Sequence, residues 1–160
     1  LSFAYQNIQK FEYEKQAREM SYEYHKKALV VVMYQVVNHF INKSGAVSSE
    51  TIAAALHLPL RVVRDAIYDL EKVGLIASIV SKEDKVSLYV PARDVHTLRV
   101  YDVVHQVEAA GQASFDTQQS NEFQWADSVL NRLERVVAES DDNVLLKDLD
   151  LERNKPSTQV

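Results

Sequence analysis

The residues with the clearest capacity for chemistry are five histidines and two acidic pairs near the C-terminus. Metal-dependent nucleases gather such side chains around one or two ions. No two of the histidines stand in an H-x-H or H-x-x-x-H spacing, so no pair is set up to share one ion. The acidic pairs, Asp141 with Asp142 and Asp148 with Asp150, are interpreted as solvated charge. The sequence therefore predicts no metal site and no nuclease centre.

Other common catalytic motifs are also missing from the sequence. It has no cysteine and only three glycines, and it contains neither a glycine-rich phosphate loop nor a G-x-S-x-G stretch. Thiolate-held zinc and iron–sulfur clusters are excluded for the same reason. We therefore expect a protein that is not an enzyme, with no catalytic residue, no cofactor and no small-molecule substrate.

Contact with nucleic acid has candidate residues between positions 61 and 85. An apolar stripe at helical spacing from Leu60 to Leu70 would leave the opposite face of that helix exposed. This face and the polar turn that follows carry the candidate nucleic-acid-binding residues Arg61, Arg64, Tyr68, Lys72, Lys82 and Lys85. Arginines near the start of such a helix can pair with guanine in the major groove.

The distribution of charge argues against a strong nucleic-acid binder. Residues 58–73 carry three basic and three acidic side chains, and residues 82–85 carry two of each. Residues 1–115 hold 13 basic and 13 acidic side chains, whereas residues 116–160 hold 5 and 10, which accounts for the net charge of −5. Strong binders usually present a basic surface. DNA is therefore a possible partner but not the favoured one.

The candidates lie in a stretch, SSETIAAALHLPLRVVRDAIYDLEKVGLI at 48–76, that has the signals of a helix-turn-helix. Ser48 or Ser49 can cap the first helix, Pro59 suits the start of the second, and Gly74 suits the left-handed position after it. Apolar residues alternate on both sides of the polar turn KEDK (82–85), which predicts a two-stranded hairpin. Two helices followed by such a wing predict a winged helix-turn-helix.

The flanking segments are predicted to be helical, which makes the fold class mainly α with a two-stranded wing, a long N-terminal helix and additional C-terminal helices. Residues 1–43 would form a juxtamembrane helix and the first winged-helix helix, which Ser21 can cap. Residues 44–111 would form the helix-turn-helix, the wing and the following helix, capped by Thr97. Residues 112–151 would supply a loop, a C-terminal helix and a docking segment, and 152–160 a disordered tail. The C-terminal helix, from about residue 122 to residue 138, is expected to turn Phe123, Leu130 and Leu133 towards the core.

Two resemblances bear on function. From Val47 to Gly111 the chain resembles winged-helix regulators related to the iron–sulfur cluster repressor IscR, through SSETIAAALHLPLRVVRDAIYDLEKVGLIAS, VPARD and HTLRVYDVVHQVEAAG. The resemblance implies a dimer joined through the later helical region and DNA reading by residues 60–73. The cluster ligands of those regulators are cysteines, which this chain lacks, so redox sensing does not follow.

The wider resemblance is to the YihY/BrkB family of inner-membrane proteins, at times labelled ribonuclease BN-like. LSFAYQNIQKFEYEKQAREMSYEYHKKA looks like the segment that leaves the last membrane helix of that family, and SDDNVLLKDL resembles its ending. Aromatic residues followed by basic ones fit the cytoplasmic side of a membrane. Glutamates nearly balance the basic residues, however, so a solvated amphipathic helix is the alternative interpretation; they are Glu12, Glu14, Glu19 and Glu23. The membrane-proximal candidates are Phe3, Tyr5, Lys10, Phe11, Lys15 and Arg18.

The sequence thus leads to a non-enzymatic winged-helix interaction or regulatory domain on the cytoplasmic face of the bacterial inner membrane. Its expected partners are the membrane portion of its own polypeptide and a second copy in a homodimer. A DNA-binding transcription regulator tethered to the membrane is the first alternative. The second alternative, part of a tRNA-processing ribonuclease BN-like protein, has no support from the residues.

Overall fold

The computed structural model describes residues 20–43, 45–81, 85–111 and 120–149. In chain order these contain α1 (Tyr22–Asn42), β1 (Val47–Ser48), α2 (Ser49–Leu56), α3 (Leu60–Lys72), β2 (Ile76–Val80), β3 (Ser87–Pro91), α4 (Val100–Glu108), α5 (Asn121–Ala138) and a short 3-10 helix (Leu146–Asp148). The predicted fold class, a mainly α winged helix-turn-helix, is confirmed. None of the helices in these ranges is long and apolar enough to cross a membrane.

Helix α1 is the centre of the core. The hydroxyl of Ser21 accepts a hydrogen bond from the Tyr24 amide at 3.1 Å, which caps the helix at the residue that the sequence indicated. One face of α1 is buried and packs against α3; its buried residues are Ala28, Leu29, Val32, Met33, Val36 and Val37. The stripe ends before the last turn, where Phe40 is 46% exposed.

The two helices of the helix-turn-helix begin and end at specific local signals. Ser48 caps α2 by accepting from the Thr51 amide at 3.2 Å. The turn after α2 is made by His57, whose φ of 53° is left-handed, and Pro59 stands directly before α3. Gly74 follows α3 with a φ of 71°, a conformation that costs glycine little. These ends fix where the exposed face of α3 begins and how far it runs.

The sheet has one strand more than the sequence predicted. Its order is β1-β3-β2 and both pairs are antiparallel, with β2 and β3 forming the wing from Ile76 opposite Pro91 to Val80 opposite Ser87. Strand β1 adds two residues beside Tyr89 and Leu88. A two-residue strand carries no alternating pattern, so hydropathy could not reveal it.

The predicted cap of the helix after the wing is wrong. Thr97 lies in a turn, where its hydroxyl donates to the Asp94 carbonyl at 2.9 Å, and α4 begins only at Val100. Arg99 precedes the helix without a side-chain cap. The amide of Tyr101 instead donates to Oδ1 of Asn143 at 2.9 Å, so a residue 42 positions later in the chain caps α4.

Helix α5 also departs from the prediction. It runs over Asn121–Ala138, close to the expected bounds, but none of its residues is buried. Phe123, Leu130 and Leu133, which were expected to face the core, are 57%, 57% and 58% exposed. The 3-10 helix after it does pack into the core, because Leu146 is fully buried and its amide donates to the Leu98 carbonyl.

Candidate nucleic-acid interface

The exposed face of α3 is the surface on which most of the candidate nucleic-acid-binding residues lie. The helix buries Val62, Val63, Ala66, Ile67 and Leu70. On the opposite side, Glu71 is exposed at the edge, and the middle is formed by the exposed residues Arg61, Arg64, Asp65, Tyr68 and Lys72. At about 100° per residue, these five positions fall within one arc of about 100°. We call this arc the α3 face.

The acidic residues of α3 are not spread evenly around the helix. Asp69 and Glu71 stand about 80° to either side of Arg61. Asp69 Oδ2 lies 2.8 Å from Nε2 of His25 on α1, and Glu71 Oε1 accepts from the Ser78 hydroxyl on β2 at 2.6 Å. The α3 face therefore carries three basic side chains and one acidic side chain. The neutral sum over residues 58–73 hid this asymmetry because it ignored which side of the helix each charge occupies.

Each arginine of the α3 face has a carboxylate beside it. Arg61 Nε lies 3.8 Å from Oδ2 of Asp65, one turn further along the same helix. Arg64 Nη2 donates to Oε1 of Glu50 at 2.8 Å, and Glu50 belongs to the first turn of α2. The pKa of the Glu50 carboxyl lies below its usual range, because the residue's own backbone N–H, the Arg64 guanidinium and the Ser49 hydroxyl all stabilise the charged form.

The remaining candidates lie beyond the first turns of α3. Tyr68 is 65% exposed at the middle of the α3 face. Lys72 is in the last turn of the helix, where the helix dipole favours a cation. Lys85 is exposed at the wing turn with a φ of 53°, and its amide donates to the Ser81 carbonyl at 3.2 Å. Lys82 lies outside the described residues.

This arrangement suits a protein that reads DNA in the major groove. The groove is wide enough for an α-helix, and residues near the helix start usually reach the base edges. Arg61 and Arg64 occupy that position on α3, and an arginine can donate two hydrogen bonds to O6 and N7 of guanine. Lys72 and Lys85 lie further from the start of α3, where cations can meet phosphates. The roles of all these residues stay predictions.

Sequence reasoning missed two residues that shape the α3 face. Glu50 was not connected with Arg64, which it contacts across 14 positions of sequence. His25 was not connected with Asp69, which lies 44 positions away. Neither contact has a local signal in the sequence, because each depends on how two helices pack.

No metal centre is built by the part of the chain that the structure describes. Within residues 20–43, 45–81, 85–111 and 120–149, no three histidine, aspartate or glutamate side chains come together closely enough to hold an ion.

The comparisons with known proteins identify the family. The model of the Rrf2 family, described as an iron-dependent transcriptional regulator, matches residues 25–150. This range includes all but the first three residues of α1, the helix-turn-helix, the wing, α4 and α5. A comparison with curated proteins gave no match.

Solved structures of similar fold are bacterial regulators. IscR of T. potens is 24% identical, with a TM-score of 0.54 over 82% of this chain and 87% of that chain. CymR of B. subtilis, titled the global cysteine regulator, is 19% identical, with a TM-score of 0.54 over 81% and 93%. The oxidised form of Staphylococcus aureus CymR is 18% identical, with a TM-score of 0.51 over 80% and 94%. At these identities the likeness shows the fold alone.

The family match corrects the prediction of a membrane-associated protein. It covers most of the chain and describes a transcriptional regulator, so the resemblance to YihY/BrkB proteins is wrong. Four predictions that depended on this resemblance are also wrong: the interaction-domain function, the membrane portion as a partner, the ribonuclease label and the placement at the inner membrane. The low weight given to DNA is corrected too. The prediction that the chain is not an enzyme is confirmed, because the family consists of regulators.

The wrong prediction rested on a pattern that amphipathic helices share. The last four of the membrane-proximal candidates Phe3, Tyr5, Lys10, Phe11, Lys15 and Arg18 each lie within two residues of Glu12, Glu14 or Glu19, a mixed charge pattern that solvated helices also show. All six lie outside the described residues. Aromatic and basic residues in this order are therefore too general to indicate the end of a membrane span.

The iron named in the family description does not fit the residues of this chain. Iron–sulfur clusters are held mainly by cysteine thiolates, and the sequence contains no cysteine. The described residues offer no alternative group of three histidine or acidic ligands. We therefore derive no regulatory step through iron.

Proposed function

We propose that this chain, which belongs to the Rrf2 family of transcriptional regulators, binds duplex DNA through the α3 face and regulates transcription by doing so. The observation that carries the proposal is the charge of that face. Three of its four charged residues are basic, and the other two acidic residues of α3, Asp69 and Glu71, contact α1 and β2. A surplus of basic side chains on one side of a helix favours contact with DNA phosphates.

The proposal gives different tasks to the two ends of the α3 face. Arg61 and Arg64, in the first turns, would meet base edges when α3 enters the major groove, and Tyr68 would follow them along the groove. Lys72 at the end of α3 and Lys85 at the wing would contact phosphates on either side. Base contacts supply sequence preference, whereas phosphate contacts supply affinity that decreases with salt.

Selection of DNA from a random-sequence duplex pool by the purified chain, followed by anisotropy titrations, tests the proposal. The double variant Arg61→Ala with Arg64→Ala is expected to bind the selected duplex at least tenfold more weakly, because a bidentate arginine–guanine contact is worth about 1–3 kcal/mol. The matched control is Arg132→Ala with Arg135→Ala, which removes two exposed arginines from α5. The control should bind the selected duplex as the unsubstituted chain does.

Two results would contradict the proposal. One is that the chain enriches no sequence from the pool at an ionic strength near 0.15 M. The other is that the two double variants weaken binding equally, because general charge would then account for the interaction and α3 would have no special role.

A further inference from the structure

Of the two arginines of the α3 face, Arg64 makes the shorter contact with a carboxylate, and that carboxylate is not on α3. Glu50 stands on α2, in the first turn after the Ser48 cap. Its Oε1 accepts from Arg64 Nη2 at 2.8 Å, whereas Arg61 and Asp65 are 3.8 Å apart. A 2.8 Å separation is a charge-assisted hydrogen bond, while 3.8 Å leaves only a looser ion pair.

Glu50 is itself held in place. Its Oε2 accepts from the Ser49 hydroxyl at 3.1 Å, so each carboxylate oxygen has a partner. The backbone N–H of Glu50, the Arg64 guanidinium and the Ser49 hydroxyl lower the pKa of its carboxyl. The side chains of Glu50 and Arg64 are 53% and 60% exposed, so the pair lies on the surface and can meet DNA.

A carboxylate in this position has two opposite effects on DNA binding. It repels phosphates and competes with them for Arg64, so it lowers the affinity for DNA of any sequence. It also restrains the long arginine side chain while occupying only one of its five N–H donors. The donors that stay free are presented in one orientation, which suits the paired acceptors O6 and N7 of guanine.

We propose that Glu50 is a specificity-determining positioning residue, which holds Arg64 for contact with a guanine base edge and away from the phosphates. The proposal rests on the proposed DNA-binding function and deepens it. Glu50 thereby lowers the affinity for DNA of any sequence and increases the discrimination between guanine and other bases at one base pair of each half-site. Glu50 acts through Arg64 and does not need to touch a base itself.

The experiment uses the full chain with Glu50→Ala and Glu50→Gln. The probes are the duplex selected by the unsubstituted chain, the same duplex with each guanine replaced in turn, and a duplex of unrelated sequence. Glu50→Ala is expected to bind the unrelated duplex more tightly, with a plot of log affinity against log salt steeper by about 0.9 for each bound protomer, the value for one added phosphate contact. Discrimination at one guanine per half-site should decrease about fivefold or more, since a bidentate contact is worth at least that.

Two further variants separate positioning from general charge. Glu139→Ala removes a negative charge at the end of α5 and should change neither discrimination nor the salt slope. In the Arg64→Ala background, Glu50→Ala should leave discrimination unchanged, because the residue through which it acts is gone. Glu50→Gln keeps an oxygen acceptor but no charge and should lie between Glu50→Ala and the unsubstituted chain.

The outcomes distinguish this inference from the function on which it rests. If the unsubstituted chain selects no duplex, the proposed function fails and the inference fails with it. If the chain selects a duplex and Arg64→Ala weakens its binding, but Glu50→Ala shifts the affinity for every probe by the same factor, DNA binding stands and the positioning role is overturned. An effect of Glu50→Ala on discrimination that persists without Arg64 would also overturn it.

Discussion

Among single residues, Asn143 connects more of the described structure than any local sequence signal indicates. Its Oδ1 caps α4 through the Tyr101 amide, its Nδ2 donates to the Ala138 carbonyl at the end of α5 at 3.0 Å, and its own carbonyl accepts from Arg99 at 2.6 Å. The side chain is buried, with 5% of its surface exposed. One amide therefore satisfies a helix start and a helix end together.

Replacing Asn143 with alanine is expected to lower the free energy of unfolding by about 1–3 kcal/mol, since the Tyr101 amide and the Ala138 carbonyl both lose their partner. Urea unfolding followed by circular dichroism measures the change. Asn131→Ala is the control, because Asn131 is exposed and bonds only to Asp127 within α5. A loss in Asn143→Ala no larger than that of the control would contradict the capping role.

Helix ends could be predicted from the sequence where their capping residue is a neighbour in the chain, and not where it is distant. Ser21, Ser48 and Gly74 were predicted at helix ends because a cap or a left-handed turn depends on residues within four positions. Thr97 was predicted by the same rule and failed, since Asn143 performs that task from 42 positions away. The contact between Glu50 and Arg64 was missed for the same physical reason.

Among the elements, α5 is the one whose apolar face the described chain leaves uncovered. Phe123, Ala126, Leu130, Leu133 and Val137 recur at helical spacing, and none is buried. Periodicity indicated an apolar face, but the prediction that this face turns towards the core of the described chain is wrong. An apolar cleft of about 600 Å³ between α1, α4 and the end of α5 continues the face through Val137. Exposed apolar area of this extent indicates a protein interface.

The homodimer expected from the sequence stays a prediction, and α5 is the element on which to test it. The double variant Leu130→Glu with Leu133→Glu should shift the chain from dimer to monomer in light scattering coupled to gel filtration, because two charges cannot be buried in an apolar interface without partners. Ser128→Glu with Asn131→Glu adds the same charge to the opposite side of α5 and should leave the mass unchanged. A monomeric unsubstituted chain at tens of micromolar would contradict the expectation.

The distribution of charge around α3 was misjudged because the charges were only added up along the chain. The sum over residues 58–73 treats a helix as a line, whereas Asp69 and Glu71 lie on its flanks with partners on α1 and β2. Helical geometry, applied to the charges as it was to the apolar residues, would have placed both acids off the α3 face. Their partners could not have been predicted, because they depend on tertiary packing.

At the level of the whole molecule, we expect DNA to be read by two α3 faces that belong to the two protomers of one dimer. A symmetric dimer would place the two helices one turn of DNA apart, about 34 Å, so that both enter the major groove from the same side of the duplex. The absence of cysteine separates this chain from regulators that hold iron–sulfur clusters through thiolates. We expect the proposed DNA contacts to depend on the winged-helix fold and on the charges of the α3 face.

Guanine methylation interference on the selected duplex tests the central claim most directly, because a methyl group on N7 blocks the acceptor that arginine uses in the major groove. We expect interference at guanines in two clusters about one helical turn apart, and we expect one guanine in each cluster to lose its interference in the Arg61→Ala variant. Interference from adenine N3 methylation alone, which reports the minor groove, or a guanine pattern unchanged by loss of Arg61 and Arg64 together, would contradict the account.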